Sequence, residues 1–298
     1  MAADGQIPIS PADDEPLTLT TPAPKQCRVI TVGNEKGGAG KSTVSVHLAV
    51  AQMRMGKSVG IVDLDVRQRT LTRYLENRHR WLNSSGAKVP MPESIRVDAS
   101  TERDLDAAEH EDTERFNRAV ERLKAVSELI IIDAPGTDTF LSRLAHRSAD
   151  TLITPLNDSF VDFDLLGDVH PETLKVVRPS FYSEMVWDCR KEKARTSRQP
   201  IDWIVMRNRM SPLEARNKQR VGRALQALAK RIGFRLAPGL SERVIYRELF
   251  PAGLTLLDLT EKGSNVAFSM SHVAARQELR DLLITLRLPE LAGAEIAF

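Results

Sequence analysis

The segment Gly33-Asn34-Glu35-Lys36-Gly37-Gly38-Ala39-Gly40-Lys41-Ser42-Thr43 constrains this chain more than any other. It lies between a β-branched run, Val29-Ile30-Thr31-Val32, and a stretch with Val46, Ala49, Val50 and Met53 at helical spacing. A strand that ends in glycines and turns into a helix is the context a phosphate-binding loop requires. Glycines let backbone N–H groups turn inward around an anion, and the helix start adds its dipole and free N–H groups. Lys41 is placed to reach the β- and γ-phosphates and Ser42 to ligate Mg²⁺, with the backbone of Gly37, Gly38, Ala39, Gly40 and Thr43 completing the cradle. The usual glycine spacing is not strictly met, because Glu35 stands where the first glycine falls.

The remainder alternates apolar runs with helical patterns. Val59-Gly60-Ile61-Val62-Asp63 and Leu129-Ile130-Ile131-Ile132-Asp133 read as buried strands ending in acid. Further strands are predicted over 151–154 and 201–206. Helices are predicted near 42–55, 70–81, 113–126, 162–177, 213–231, 244–249 and 272–286. A Pro-broken loop falls at Pro90 and Pro92. Strands alternating with helices imply an α/β fold with a doubly wound, mainly parallel sheet flanked by helices. The 298 residues suit a single domain over 27–288, with 180–199 read as a surface insertion and 289–298 as a C-terminal tail. Residues 1–26, with five Pro and Asp13-Asp14-Glu15, are expected to be a disordered tail. Cys27 and Cys189 lack metal-ligand spacing, and no apolar run approaches a membrane span, so a reducing, cytoplasmic setting is expected.

The acidic strand ends fit the phosphate loop. Asp133 in Ile132-Asp133-Ala134-Pro135-Gly136 is placed to act on Mg²⁺ through water, and Gly136 can offer an N–H to the γ-phosphate. Alternation in Asp63-Leu64-Asp65 puts two carboxylates on one side at the carboxyl end of a strand, where open α/β sheets bind ligands.

The string Lys36–Thr43 resembles the deviant Walker A motif of the ParA/MinD ATPases, and 130–136 resembles their Walker B motif running into a switch loop. The resemblance narrows to the MipZ proteins through DLDVRQRT (63–70), TPLNDSFVDFDLLG (154–167), DWIVMRNR (202–209), EARN (214–217) and RVIYRELFPAGLTLLDL (243–259). It covers about residues 28–285. It implies slow ATP hydrolysis in a homodimer that sandwiches two nucleotides. Lys36 would reach the partner's phosphates and Asp65 would orient the attacking water. Asn208 would contact adenine, with 239–246 lying over the base. It also implies DNA binding without sequence preference, recruitment by ParB, inhibition of FtsZ polymerisation that places the division plane, and a nucleoid-associated location.

Charge agrees once it is resolved along the chain. The formal net charge is only +2, yet residues 190–235 hold 14 Lys/Arg against three acids. Arg216, Arg220 and Arg223 recur at helical spacing on one face, which suits phosphate neutralisation without base readout. Arg216 and Arg220 are expected to lead DNA contact, assisted by Lys218, Arg223, Arg195 and Arg198. No aromatic residue interleaves with the stripe, which gives no support for stacking on single strands. Arg67, Arg69, Arg73, Arg78 and Arg80 read as switch or dimer-contact residues, and Trp81, Trp187 and Trp203 as core.

Two other classes stay open: a chromosome- or plasmid-partition ParA, and a biosynthetic P-loop enzyme of the dethiobiotin-synthetase type. Lys36 and the basic segment count against the second. The membrane-binding amphipathic C-terminal helix of MinD-type proteins has no counterpart in the Pro- and Gly-broken end, so no membrane partner is expected.

Overall fold

In the computed structural model, which describes residues 27–65, 67–157, 160–170, 176–210, 215–264 and 269–288, each buried run becomes a strand feeding a helix. Strand β1 (Arg28–Val32) passes through the phosphate loop into α1 (Lys41–Arg54), and β2 (Val59–Asp63) leads to α2 (Thr70–Ser85). Then come β3 (Glu93–Arg96), α3 (Leu105–Lys124), β4 (Leu129–Asp133), α4 (Phe140–Ser148) and β5 (Thr151–Asn157). A short helix α5 (Phe160–Phe163) precedes the pair β6 (Gly167–Val169) and β7 (Val176–Pro179), followed by α6 (Phe181–Ser197) and β8 (Asp202–Asn208). Helix α7 (Ala215–Leu228), strand β9 (Arg235–Ala237), α8 (Ile245–Leu249) and α9 (Met270–Leu286) complete the order.

Seven strands form one sheet in the order β3-β2-β4-β1-β5-β8-β9, every neighbouring pair parallel. Period-two alternation divides the side chains between its faces. Leu129 and Ile131 join a core with α1 and with Leu279, Leu282, Leu283 and Leu286 of α9. Ile130 and Ile132 join Phe116, Val120 and Leu123 of α3 on the other face. Both faces are therefore covered, which is why the strands read as unbroken apolar runs. The expected doubly wound parallel sheet is what the chain forms. Its carboxyl ends bring Gly33, Asp63, Asp133 and Asn208 to one rim.

Four expectations need correction, among them a core position for Trp187. The segment 180–199 is no surface insertion: it forms α6, capped by Ser180, whose Oγ accepts from Ser183 N–H at 3.0 Å. Tyr182, Met185, Val186 and Cys189 are buried at i, i+3, i+4 and i+7, an apolar stripe facing β5 and β8. Trp187 lies off that stripe, 49% exposed, with the Arg190 guanidinium 5.5 Å above its ring. The helix predicted over 162–177 is instead the four-residue α5 and an antiparallel β6–β7 pair. Its carbonyls are claimed by the start of α6: Ser180 Oγ donates to Leu165 O (2.5 Å) and Ser183 Oγ to Leu166 O (2.7 Å). Arg78 is no surface contact. It is fully buried against Asp258, with Nη1 donating at 2.7 Å, and Arg54 Nη2 donates to the same carboxylate at 2.7 Å.

Candidate functional site

The phosphate loop is built by hydrogen bonds within its own neighbourhood. Asn34 Nδ2 donates to Pro155 O at the end of β5 (2.5 Å), and Asn34 Oδ1 accepts from Lys36 N–H (2.6 Å). Gly40 precedes α1 with φ of 85°, a left-handed value that favours glycine. A Cβ there would also lie 2.2 Å from Asn208 Nδ2. Lys41 is buried, and its ammonium donates to Lys36 O at 3.0 Å. Burial pushes the Lys41 pKa down, against the pull of Asp133 and Asp65.

Lys36 points elsewhere: its Nζ donates to Asp162 Oδ1 of α5 at 2.8 Å, in an ion pair 34% and 14% exposed. The two lysines of the loop thus serve different places. Lys41 lies within the cradle, and Lys36 sits at its rim.

Ser42 and Asp133 lie in direct contact. Ser42 Oγ donates to Asp133 Oδ2 at 2.6 Å, and Ser45 Oγ to Oδ1 at 3.2 Å. Burial, and then the Asp63 carboxylate one strand away, push the Asp133 pKa up to about 7. Hard oxygen donors from a serine and a carboxylate beside a phosphate cradle fit Mg²⁺, which keeps several waters and takes few protein ligands. Ser42 and Asp133 are the residues that would hold it.

Asp63 and Asp65 part company. Asp63 is buried, and its Oδ2 accepts from Thr72 Oγ1 (2.6 Å) and Thr72 N–H (3.0 Å), tying β2 to the first turn of α2. Only Asp65 reaches the cleft, its Oδ1 accepting from Gln68 N–H at 3.2 Å. Asp63 stays behind the cleft wall, its Oδ1 accepting from Asp65 N–H at 3.0 Å, while Leu64 between them is buried. The cleft holds about 620 Å³ and is lined by the phosphate loop, Asp65, Gly136 and Arg209, among others. Gly136 lies so near the loop that a Cβ would meet Gly37 N at 3.1 Å and Lys41 Nζ at 3.2 Å.

A second cavity of about 310 Å³ shares Gly40, Thr43 and Arg209 with the first and adds Asn208, Tyr246 and the 240–243 segment. Asn208 Nδ2 donates to Ala39 O at 2.7 Å, so the residue also fastens β8 to the loop. Sequence reasoning missed Asn34, Asp162 and Arg209. The first two act through hydrogen bonds between distant segments, and Arg209 carries its signal in a positive φ of 50°.

The basic stripe lies on α7. The side chains of Arg216, Lys218 and Arg220 fall outside the described residues, while Arg223 and Arg195–Arg198 of the α6 end are described. Arg195, Arg198 and Arg223 are all exposed. No helix among the described residues is long and apolar enough to cross a membrane.

A strand-loop-helix cradle, a buried acid on the next strand and an all-parallel sheet define a nucleotide-hydrolysing P-loop ATPase of the ParA/MinD type. The family model described as ATPase MipZ matches residues 28–290, and the chain belongs to that family. Among solved structures, apo McdA of Cyanothece superposes with a TM-score of 0.58 at 17% identity, covering 88% of this chain and 100% of that one. MinD of Pyrococcus horikoshii, complexed with Mg-ADP, gives 0.53 at 19% identity, covering 88% and 99%. An ATP-binding protein of Methanocaldococcus jannaschii, itself uncharacterised, is 34% identical over 138 residues, 43% of this chain. That match spans only about half of the relative, 52% of its length.

Proposed function

We propose that this chain is an ATP-dependent dimerisation switch that binds DNA without sequence preference, is recruited by ParB and inhibits FtsZ polymerisation to place the division plane. The observation that carries the reading is the division of labour between the two loop lysines, one within the cradle and one at its rim. Lys41 neutralises the phosphates of the nucleotide its own loop binds. Lys36, at the rim, crosses to the phosphates of the partner's nucleotide, so a stable dimer needs a triphosphate on each side.

The loop amides of 37–43 and Gly136 orient the transferring phosphoryl group, where positioning and charge stabilisation supply most of the rate. Ser42, and Asp133 through water, would hold Mg²⁺, which would supply positive charge to the phosphates. Asp65, open to the cleft, orients the attacking water. Asn208 contacts the adenine, with the segment 239–246 lying over the base. Slow turnover lets the nucleotide state time residence on DNA, and dimerisation doubles the basic stripe, tying DNA affinity to ATP through multivalency. The setting is the cytoplasm, on the nucleoid.

The test mixes the purified protein with FtsZ and ATP and follows polymer length by sedimentation and electron microscopy. Shortened polymers with ATP and unchanged polymers with ADP are expected. Polymers of unchanged length with ATP would favour a partition ATPase that carries cargo on DNA.

A further inference from the structure

The second cavity is walled by a segment with little secondary structure of its own. Residues 240–242 run parallel to the chain just past the end of β8. Leu240 N–H donates to Arg207 O (3.0 Å), Met210 N–H to Leu240 O (3.2 Å) and Glu242 N–H to Met210 O (3.1 Å). The far side of this segment is held by one carboxylate on α9. Glu278 Oε2 accepts from Ser241 N–H (2.9 Å), and Oε1 accepts from Ser241 Oγ and Arg243 Nη2, both at 2.7 Å. Arg243 Nη1 in turn donates to Ser271 Oγ at 2.9 Å, so α9 grips the arginine twice.

The arginine–carboxylate pair is only 18% and 21% exposed, and charge-assisted bonds of that kind are stronger than neutral ones. A lone surface ion pair contributes little. This carboxylate instead closes three hydrogen bonds onto two residues that line the cavity, beside Asn208 and Tyr246. Two polar groups of the same wall, Arg243 Nε and the Tyr246 hydroxyl, are buried with no hydrogen-bond partner among the described residues. The clamp therefore holds in place a wall with donors left for a ligand.

We infer that Glu278 is a positioning residue for nucleotide binding. It lies behind the wall and sets the affinity for the base and sugar by fixing Ser241 and Arg243, while leaving the phosphate cradle alone. The inference rests on the reading of this cavity as the base pocket, and the experiment separates the two. Titration calorimetry on the full chain compares ATP with inorganic tripolyphosphate, which probes only the phosphate loop. The variants are Glu278→Ala, Glu278→Gln and Tyr246→Ala.

Glu278→Ala should weaken ATP about tenfold, the loss expected from one or two net hydrogen bonds, with tripolyphosphate binding held within about twofold. Glu278→Gln keeps one carbonyl oxygen for Ser241 and should lose less. It also carries the test if the alanine variant fails to fold. Tyr246→Ala should weaken ATP relative to tripolyphosphate. If it leaves that ratio unchanged, the base-pocket reading fails and the inference with it. If Tyr246→Ala lowers the ratio but both Glu278 variants leave it unchanged, or weaken both ligands equally, the positioning role is overturned while the pocket stands.

Discussion

Lys36 and Lys41 are five residues apart on one loop, yet burial separates their chemistry. Lys41, desolvated and donating to a loop carbonyl, is a fixed charge at the floor of the cradle. Lys36 is partly exposed and paired across to α5, a partner it must leave to reach another chain. Replacing Lys36 with Ala should therefore abolish ATP-dependent dimerisation while nucleotide still binds. Light scattering that finds dimers of this variant with ATP would contradict the assignment. Asp65 is the acid of its pair that faces the cleft, since Asp63 is committed to Thr72. Asp65→Ala should bind ATP, lose turnover by about a hundredfold or more, and accumulate as dimer. Rapid phosphate release by that variant would remove Asp65 from the mechanism. Lys41, Ser42 and Asp133 were legible because their motif is local, whereas the parting of Asp63 from Asp65 depended on where Thr72 lies, nine residues on.

At the scale of elements, the central strands are legible because burial on both faces leaves them mainly apolar, with acids gathered at their carboxyl ends. The edge strands β3 and β9 did not. Glu93–Arg96 is exposed at three of its four positions, and Arg235 in β9 is paired with Asp202. Helix α6 carried a readable stripe at 182, 185, 186 and 189, but its charged C-terminal half drew the reading toward an insertion. Helix α4 packs beside α6 through a buried hydrogen-bond cluster. Tyr182 Oη donates to Gly33 O at 3.0 Å and lies 3.2 Å from His146 Nε2.

Burial holds the His146 pKa down at about 4, and that of His47 likewise. Both values are depressed from about 6.5, so the unfolded chain takes up more protons between those limits. The stability these histidines contribute is complete above about pH 6.5 and is lost as pH falls toward 4. Asp133, pushed up to about 7, has the opposite sign: ionising it costs the folded state stability as pH rises from about 4 to 7. His146→Gln should remove up to about 1.4 kcal/mol per pH unit from the slope of stability against pH across 4 to 6.5. Urea unfolding at several pH values measures this, and an unchanged slope would mean that His146 titrates normally.

Over the whole molecule, a net charge of +2 hides a basic region of 14 Lys/Arg against three acids between 190 and 235. Much of that charge is spent internally: Arg190 donates to Ile201 O and Gly233 O, and Arg235 to Asp202. Arg195, Arg198 and Arg223 stay exposed, and the proposed DNA surface joins them to Arg216, Lys218 and Arg220. Arg216→Ala/Arg220→Ala should weaken DNA binding with ATP and flatten its salt dependence by about two phosphate contacts per protomer. Unchanged affinity and slope across a salt series would place DNA elsewhere. The proposed switch turns on ATP converting one chain into two. The most direct measurement is the mass of the purified protein by light scattering with ADP and with a non-hydrolysable ATP analogue. The prediction is 33.2 kDa with ADP and twice that with the analogue. A single chain in both states would contradict the switch.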